Sequence, residues 1–199
     1  TEEDTNKVLK ALDGASYVVS DVKESVKQRT PAPPFTTSTM QQEAARKLGF
    51  TTKRTMQAAQ QLYEGINITG RGTVGLITYM RTDSLRISSE FQAQARAYIK
   101  TVYGDEYITP APRFYKTKKE AQDAHEAIRP TSLDLSPVKI KDNLSNDQFK
   151  LYKLVWERFL SSQMTNVVYD AVSATIDANS YTFKATGSTV KFDGFTILY

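Results

Sequence analysis

Cysteine is absent from the sequence, and histidine occurs once, as His125. The lack of cysteine excludes a disulfide framework and any thiolate metal site within the chain. The single histidine likewise excludes a metal site built from two or more histidines of this chain. No uninterrupted apolar stretch reaches the length of about 18 residues that a membrane-spanning helix needs. We therefore expect no membrane partner and no histidine- or cysteine-based metal centre.

The composition is that of a folded protein. Of the 199 residues, 40% are hydrophobic and 24% are charged, which argues against disorder and suits one large domain or two small ones. Lys and Arg outnumber Asp and Glu by 26 to 22, a small excess that favours a polyanionic partner. The chain begins at Thr1 without a signal-like segment, and we expect it to be a piece of a longer protein.

Strand patterns lie at both ends of the chain. Valines alternate with polar residues from Val18 to Val26, and a period of two returns after Met164, where we predict strands over 168–176, 181–186 and 190–197. The prolines of residues 31–34 interrupt the first strand. The pattern predicts an α+β protein in which a helical domain, residues 39–164, is inserted into an antiparallel β domain, residues 1–38 and 165–199.

Four helices are predicted in the middle of the chain from caps and apolar stripes. Ser38 with Gln41, and Ser145 with Gln148, have capping-box spacing, and Ser88 is an N-cap candidate. Glycines stand where helices should end. The predicted helices begin near Ser38, Lys53, Ser88 and Ser145, and the first three end at Gly49, Gly65 and Gly104. The first two form either a helix-turn-helix or a plain αα-hairpin. We predict a short strand over 74–80.

Residues 75–84 are the densest polar cluster in an apolar setting. If the strand persists, Tyr79 and Arg81 share one face of it. Arginine can hold a phosphate bidentately and favour a phenolate, help that a tyrosine with an ordinary pKa of about 10 needs to act as a nucleophile. The alternative is a half-buried strand tyrosine beside a surface salt bridge between Arg81 and Asp83.

A second cluster surrounds the single histidine. His125 and Arg129 are four residues apart, so they would share a face if this segment were helical. Together they could bind a phosphate or orient a reacting group. The alternative is a histidine with no role in chemistry.

Two basic stretches are candidates for nucleic-acid binding. Residues 23–54 contain seven basic and two acidic side chains, and Arg113, Lys116, Lys118 and Lys119 accompany Phe114 and Tyr115. Basic residues beside aromatic ones suit single-stranded nucleic acid, through phosphate contacts and base stacking. Solvated helix faces have the same composition.

Three segments in order resemble the motifs of the type IA DNA topoisomerases. They are residues 33–41 (PPFTTSTMQ), 77–84 (ITYMRTDS) and 124–131 (AHEAIRPT), and residues 192–195 (FDGF) extend the resemblance towards the end of the chain. The second segment is most similar to that of bacterial DNA topoisomerase I. The resemblance implies that Tyr79 attacks a phosphodiester of single-stranded DNA and forms a 5′-phosphotyrosine link. Strand passage and religation would then relax negatively supercoiled DNA without ATP.

The resemblance also implies roles for the neighbours of Tyr79. Arg81 would clamp the phosphate, and His125 would contact the scissile region or a carboxylate of a neighbouring domain. Thr82 and Asp83 would hold Tyr79 and Arg81 in place at the DNA. Arg129 would position a phosphate, and Arg113 and Lys116 would add DNA contacts.

By the same resemblance, the chain is only part of the enzyme. Residues 1–38 and 165–199 would form domain II of the toroid, and residues 39–164 domain III with the tyrosine. The family's Toprim domain, elsewhere in the same full-length chain, would bind Mg²⁺ through an acidic cluster that this sequence lacks, so the isolated piece should be inactive. The resemblance implies a cytoplasmic, nucleoid-associated enzyme. The alternative function is a non-enzymatic DNA-binding module that uses the helix pair at residues 38–65.

Overall fold

The computed structural model describes residues 1–116 and 125–199 and has a mixed α+β fold, as predicted. The helices are α1 (Glu2–Leu12), α2 (Thr37–Leu48), α3 (Thr52–Glu64), α4 (Ser89–Tyr103) and α5 (Asn146–Ser162). The strands are β1 (Val18–Arg29), β2 (Ile66–Ile68), β3 (Gly72–Val74), β4 (Val167–Ala178) and β5 (Tyr181–Phe192). Short 3₁₀ helices lie at Asp105–Tyr107, Lys141–Asn143 and Gly194–Ile197. Within the described ranges, no helix is long and apolar enough to cross a membrane.

The chain divides into two compact units. One contains Thr1–Arg29 and Val167–Asp193, and the other contains Thr30–Asn166 and Gly194–Tyr199. Residues 30–38, 165–166 and 194–199, which we expected with the β domain, therefore lie in the helical unit. Proline has no N–H to donate to a β ladder, so β1 ends before Pro31, and Phe35 is fully buried in the helical unit.

The sheet unit is a three-stranded antiparallel sheet in the order β1-β4-β5. Its register runs from Val18 opposite Asp177 to Arg29 opposite Val167, so the strand predicted from the valines of residues 18–26 does pair with a strand that follows Met164. The prediction of two strands over 181–186 and 190–197 was wrong. Gly187 stays in the ladder opposite Val172, so β5 is continuous, and a 3₁₀ helix follows at Gly194–Ile197.

Two features of the sheet unit were not predicted. Helix α1 begins with a capping box between Thr1 and Asp4, in a stretch that has no buried residue. Strand β1 was expected to be half-exposed, but all twelve of its residues are exposed. The alternating valines of β1, including Val22 and Val26, thus lie on a sheet face that is open within this unit.

The helical unit has a core between α2, α3 and α5. Its buried side chains include Met40 and Ala44 of α2, Ala59 and Leu62 of α3, and, on α5, Leu151, Val155 and Phe159. The predicted ends at Gly49, Gly65 and Gly104 are confirmed, as are the caps at Ser88 and Ser145. The start of α2 was misplaced, because Thr36, rather than Ser38, forms the capping box with Thr39.

Helices are the main regular elements of this unit, and the α-helices alone cover slightly less than half of the described residues between 39 and 164. The predicted strand over 74–80 was wrong. Strand β3 ends at Val74, and of the following residues Ile77 makes one isolated bridge, to Pro130. Residues 75–88 are instead an irregular segment held by side-chain and backbone hydrogen bonds. This segment carries the candidate site.

Candidate functional site

The three sequence segments singled out above meet in space. Antiparallel bridges join Phe35 to Ile128 and Ile77 to Pro130. Phe35, Ile77 and Ile128 are each no more than 1% exposed, so each segment contributes a buried apolar side chain where the segments meet. Buried packing of this kind can hold irregular backbone in one conformation, which a reacting loop requires.

Thr78 fastens the tyrosine segment to the histidine segment. Its backbone N–H donates to the carbonyl of Arg129 at 2.9 Å, and its hydroxyl donates to the carbonyl of Ala127 at 2.7 Å. The same hydroxyl accepts the Arg129 N–H at 3.0 Å. The residue before Tyr79 is therefore tied to both sides of Ile128.

Tyr79 stands on this irregular segment and not at the end of a strand. Its side chain is 37% exposed. Tyr63 of α3 contacts the ring edge-on with 5.3 Å between centroids, and the His125 ring lies on it with 5.5 Å between centroids. The two neighbours restrain the ring while part of the phenol remains open to a substrate.

Arg81 and Asp83 are exposed, whereas the residues between and beside them are buried. Met80 is 1% exposed and Thr82 is 7% exposed. The described ion pairs do not include one between Arg81 and Asp83, so the salt bridge of the alternative interpretation is not observed. Arg81 is thus presented to solvent by two anchored neighbours.

Thr82 is a supporting residue in this geometry. Its hydroxyl accepts the N–H of Ser84 at 3.1 Å, and its backbone N–H and carbonyl are both bonded to Thr37. Because the side chain is buried, direct contact with DNA is disfavoured. The geometry suits the other expected role, which is to hold the segment that bears Tyr79 and Arg81.

His125 and Arg129 do not share a helical face, because residues 125–130 form no helix and only two isolated bridges. The Arg129 guanidinium is bound within the protein. It pairs with Glu126 at 2.6 Å, donates to the Pro130 carbonyl at 2.9 Å and lies 3.8 Å over the Phe91 ring. Burial lowers the pKa of Arg129, although Glu126 opposes that effect. Arg129 therefore has few donors left for the phosphate contact that we predicted.

The second basic stretch alternates between inward and outward side chains. Arg113 donates to the carbonyl of Met164 at 2.7 Å, and the Tyr115 hydroxyl donates to the carbonyl of Ser162 at 2.8 Å. Phe114 and Lys116 are exposed, and Phe114 retains 82% of its surface. Lys118 and Lys119 lie outside the described residues.

The first basic stretch does not form a single patch of available charge. Its residues lie in both compact units. In the helical unit, Arg46 and Lys47 pair with Glu43, and Arg54 makes a two-pronged ion pair with Asp147, with contacts of 2.6 and 2.7 Å. Helix α3 therefore offers less free positive charge than its sequence suggests.

Comparison with known proteins identifies the family. A family model described as DNA topoisomerase matches residues 1–199. A structure of full-length topoisomerase I from Thermotoga maritima is similar with a TM-score of 0.83 and 40% identity, over 97% of this chain and 31% of that one. The chain belongs to the type IA DNA topoisomerases. It spans about a third of the length of the Thermotoga protein.

Three residues of the candidate site were not singled out from the sequence. Thr37 bonds to the backbone around Arg81, Glu126 binds Arg129 and accepts the Ser88 N–H at 3.0 Å, and Tyr63 restrains the Tyr79 ring. Thr37 and Glu126 lie inside the recognised segments, so position in a motif was an available signal. Tyr63 had only the apolar stripe of α3, which is equally typical of a core residue.

The topoisomerase family implies Mg²⁺, and the described residues do not fit a site for it. Within 1–116 and 125–199, no group of three or more His, Asp or Glu side chains comes together. Close to Tyr79, the Glu126 carboxylate is already engaged by Arg129 and by the backbone of Ser88.

Proposed function

We propose that this chain carries the nucleophile of a topoisomerase that relaxes negatively supercoiled DNA. The observation that carries the proposal is the placement of Tyr79: a partly exposed phenol on a segment held by both neighbouring motifs, beside His125 and two residues from an exposed arginine. A phenol that had only a packing role would not need this polar scaffold. We infer that the substrate is single-stranded DNA, in the cytoplasm and at the nucleoid.

In the proposed reaction, the Tyr79 hydroxyl oxygen attacks the phosphorus of a phosphodiester. The new Tyr–O–P bond forms as the bond from phosphorus to the 3′-oxygen breaks. The phenol loses a proton and the leaving oxygen gains one, so the products are a 5′-phosphotyrosine link and a 3′-hydroxyl. After strand passage, the 3′-hydroxyl attacks the same phosphorus and releases Tyr79. One phosphoester bond is exchanged for another at each step, so ATP is not consumed.

Arg81 is the residue suited to the charge that develops on the phosphate. A guanidinium offers up to five N–H donors in a planar fork, and it stabilises a pentacovalent phosphorus more than the ground state. We propose that His125 contacts the scissile region, and the contact of its ring with that of Tyr79 supports this role. We propose that Thr82 holds the segment from within the protein, through its bonds to Thr37 and Ser84, and that Asp83 acts with it at the exposed surface.

The remaining parts of the enzyme are proposed to come from outside this chain. We propose that the sheet unit is part of domain II and the helical unit part of domain III, with a Toprim domain of the full-length chain supplying Mg²⁺ and acid-base groups. General acid or base help contributes about 10²–10⁴-fold in rate. Without it, the fragment should not relax DNA.

The test is relaxation of negatively supercoiled plasmid with magnesium by four proteins: the fragment, the full-length enzyme, and its Tyr79→Phe and Arg81→Ala variants. Tyr79→Phe keeps the ring contacts, so we expect a folded protein with no cleavage. Arg81→Ala should slow cleavage and leave the nucleophile in place. Relaxation by the fragment would mean that its own residues supply the missing groups, and activity of Tyr79→Phe would exclude Tyr79 as the nucleophile.

The non-enzymatic helix-turn-helix alternative is not favoured by an observation of this structure. A recognition helix needs free polar and basic side chains at its outer face. Arg54 of α3 is instead paired with Asp147 at the start of α5. The family assignment also favours an enzyme over a regulator.

A further inference from the structure

Thr37, the first residue of α2, binds the backbone on both sides of Arg81. The Thr37 hydroxyl donates to the Met80 carbonyl at 2.7 Å and accepts the Thr82 N–H at 2.9 Å. The Thr37 N–H in turn donates to the Thr82 carbonyl at 2.9 Å. One residue thus provides three hydrogen bonds to the segment that follows Tyr79.

Thr37 is itself held rigidly. It is the first residue of α2, and the next turn of this helix buries Met40 and Ala44 in the core of the helical unit. The three hydrogen bonds therefore attach the irregular segment to the end of a packed helix. Side chains on rigid elements keep a reacting geometry better than side chains on free loops.

The Arg81 side chain depends on this backbone anchoring for its direction, because it is not packed in the core. Its side chain is exposed, but Met80 and Thr82 are buried and bonded to Thr37. Fixing the carbonyl before Arg81 and the N–H after it restricts the two peptide planes that set the direction of the Arg81 side chain. Met80 is also the residue that follows Tyr79, so the same hydrogen bond restrains the backbone next to the tyrosine.

We propose that Thr37 is a positioning residue for Arg81 and Tyr79 in DNA cleavage, an inference that rests on the proposed function. The Thr37 hydroxyl acts both as donor and as acceptor. Serine, which has a hydroxyl, should therefore substitute for Thr37, whereas valine, which has none, should not. Valine keeps the shape and the backbone N–H but removes two of the three bonds. A misplacement of about 1 Å can cost roughly 100-fold in rate.

The experiment compares Thr37→Val, Thr37→Ser and Thr39→Val in the full-length enzyme. Thr39→Val is the matched control, because it removes a hydroxyl from the same helix end, where Thr39 bonds to Thr36 and not to the tyrosine segment. Three quantities are measured: the single-turnover rate of oligonucleotide cleavage, the Kd for the same single-stranded oligonucleotide, and the Tm.

We expect Thr37→Val to slow cleavage by roughly 10- to 100-fold with little change in Kd, and Thr37→Ser to stay within about threefold of the wild type. Thr39→Val should lower the Tm and leave the cleavage rate unchanged. Equal cleavage by Thr37→Val and Thr39→Val would overturn the proposal, as would failure of serine to rescue. Tyr79→Phe is run alongside: if that variant cleaves, the proposed function fails first.

Discussion

Arg129 and Arg81 show how two arginines of one site can be placed for different tasks. The Arg129 guanidinium is occupied by a carboxylate, a carbonyl and an aromatic ring, whereas Arg81 is exposed to solvent. Glu126 also accepts the N–H of Ser88, the N-cap of α4, so Arg129 and Glu126 together fasten the histidine segment to that helix. We infer that Arg129 stabilises the site and that Arg81 acts on the substrate.

This difference predicts that the two alanine substitutions change the stability of the fold by different amounts. Arg129→Ala should lower the free energy of unfolding by about 1.5–3 kcal/mol, because it leaves a half-buried carboxylate without its cation. Arg81→Ala, at an exposed position, should change it by less than about 0.5 kcal/mol. Urea denaturation of the isolated chain measures both. Equal stability of Arg129→Ala and the wild type would show that the ion pair does not stabilise the fold.

The segment over residues 111–116 is the element whose surface suits single-stranded DNA. Arg113 and Tyr115 turn inward to carbonyl groups of the end of α5 and the residues after it, and this anchors the segment. Phe114 and Lys116 consequently face solvent. An exposed aromatic ring beside a cation combines base stacking with phosphate contact.

Separate substitutions should distinguish the two contributions. Phe114→Ala should weaken single-stranded DNA binding by about 1–3 kcal/mol without changing its salt dependence. Lys116→Ala should reduce the slope of log K against log salt by about 0.7, the value for one phosphate contact on a single strand. Fluorescence anisotropy of a labelled oligonucleotide with the isolated chain at several salt concentrations measures both effects.

Tyr115→Phe is the control for these two variants, because its hydroxyl points into the protein and its loss should not alter DNA binding. If Phe114→Ala binds as tightly as this control, the segment does not stack on bases. If binding of the wild type is independent of salt, phosphate contacts do not contribute.

At the scale of the whole chain, residues after the sheet return to the helical unit. The Tyr199 hydroxyl donates to the Glu43 carboxylate at 2.7 Å and accepts a hydrogen bond from Arg158 at 3.2 Å. The Lys47 amino group lies 3.4 Å from the centre of the Tyr199 ring. Arg158 also donates to the Pro33 carbonyl at 2.6 Å. Burial and the Glu43 carboxylate together raise the pKa of Tyr199 to about 12. This contact therefore links α2, α5 and the chain that enters the unit.

The raised pKa predicts a loss of stability at high pH. The contribution of the protonated Tyr199 phenol to stability is fully present below the ordinary tyrosine pKa of 10.0. It is lost as the pH rises through the folded value of about 12. Urea denaturation at pH 9 and pH 11.5 should show this loss for the wild type. Phenylalanine does not titrate. The Tyr199→Phe variant should therefore have a lower free energy of unfolding than the wild type at pH 9 and should lose less of it by pH 11.5.

The gap in unfolding free energy between these two proteins should consequently narrow as the pH rises. Tyr152, whose pKa is also raised by burial, is present in both proteins and cancels in the comparison. Parallel stability curves for the two proteins would show that the Tyr199 phenol titrates alike in the folded and unfolded chain.

Local signals in the sequence predicted what depends on neighbouring residues. The caps at Ser88 and Ser145 and the helix ends at Gly49 and Gly65 were found because each cap and its partner lie within a few residues. Strands β1 and β4, on either side of the helical part, were found because a period of two persists over each, whereas the extent of β5 was not. The motif around Tyr79 identified the family, and its role as nucleophile stays a prediction until the cleavage assay is done.

Contacts between distant residues could not be predicted in this way. Thr37 and Met80 are 43 residues apart, and Arg113 and Met164 are 51 apart. Whether an arginine binds a carboxylate, a carbonyl or DNA depends on which groups the fold brings within about 3 Å of it, the range of a hydrogen bond. The residue types and their order were sufficient to find the tyrosine and its family. The different environments of Arg81, Arg113 and Arg129 arise from packing, because burial and partner geometry are properties of the folded chain.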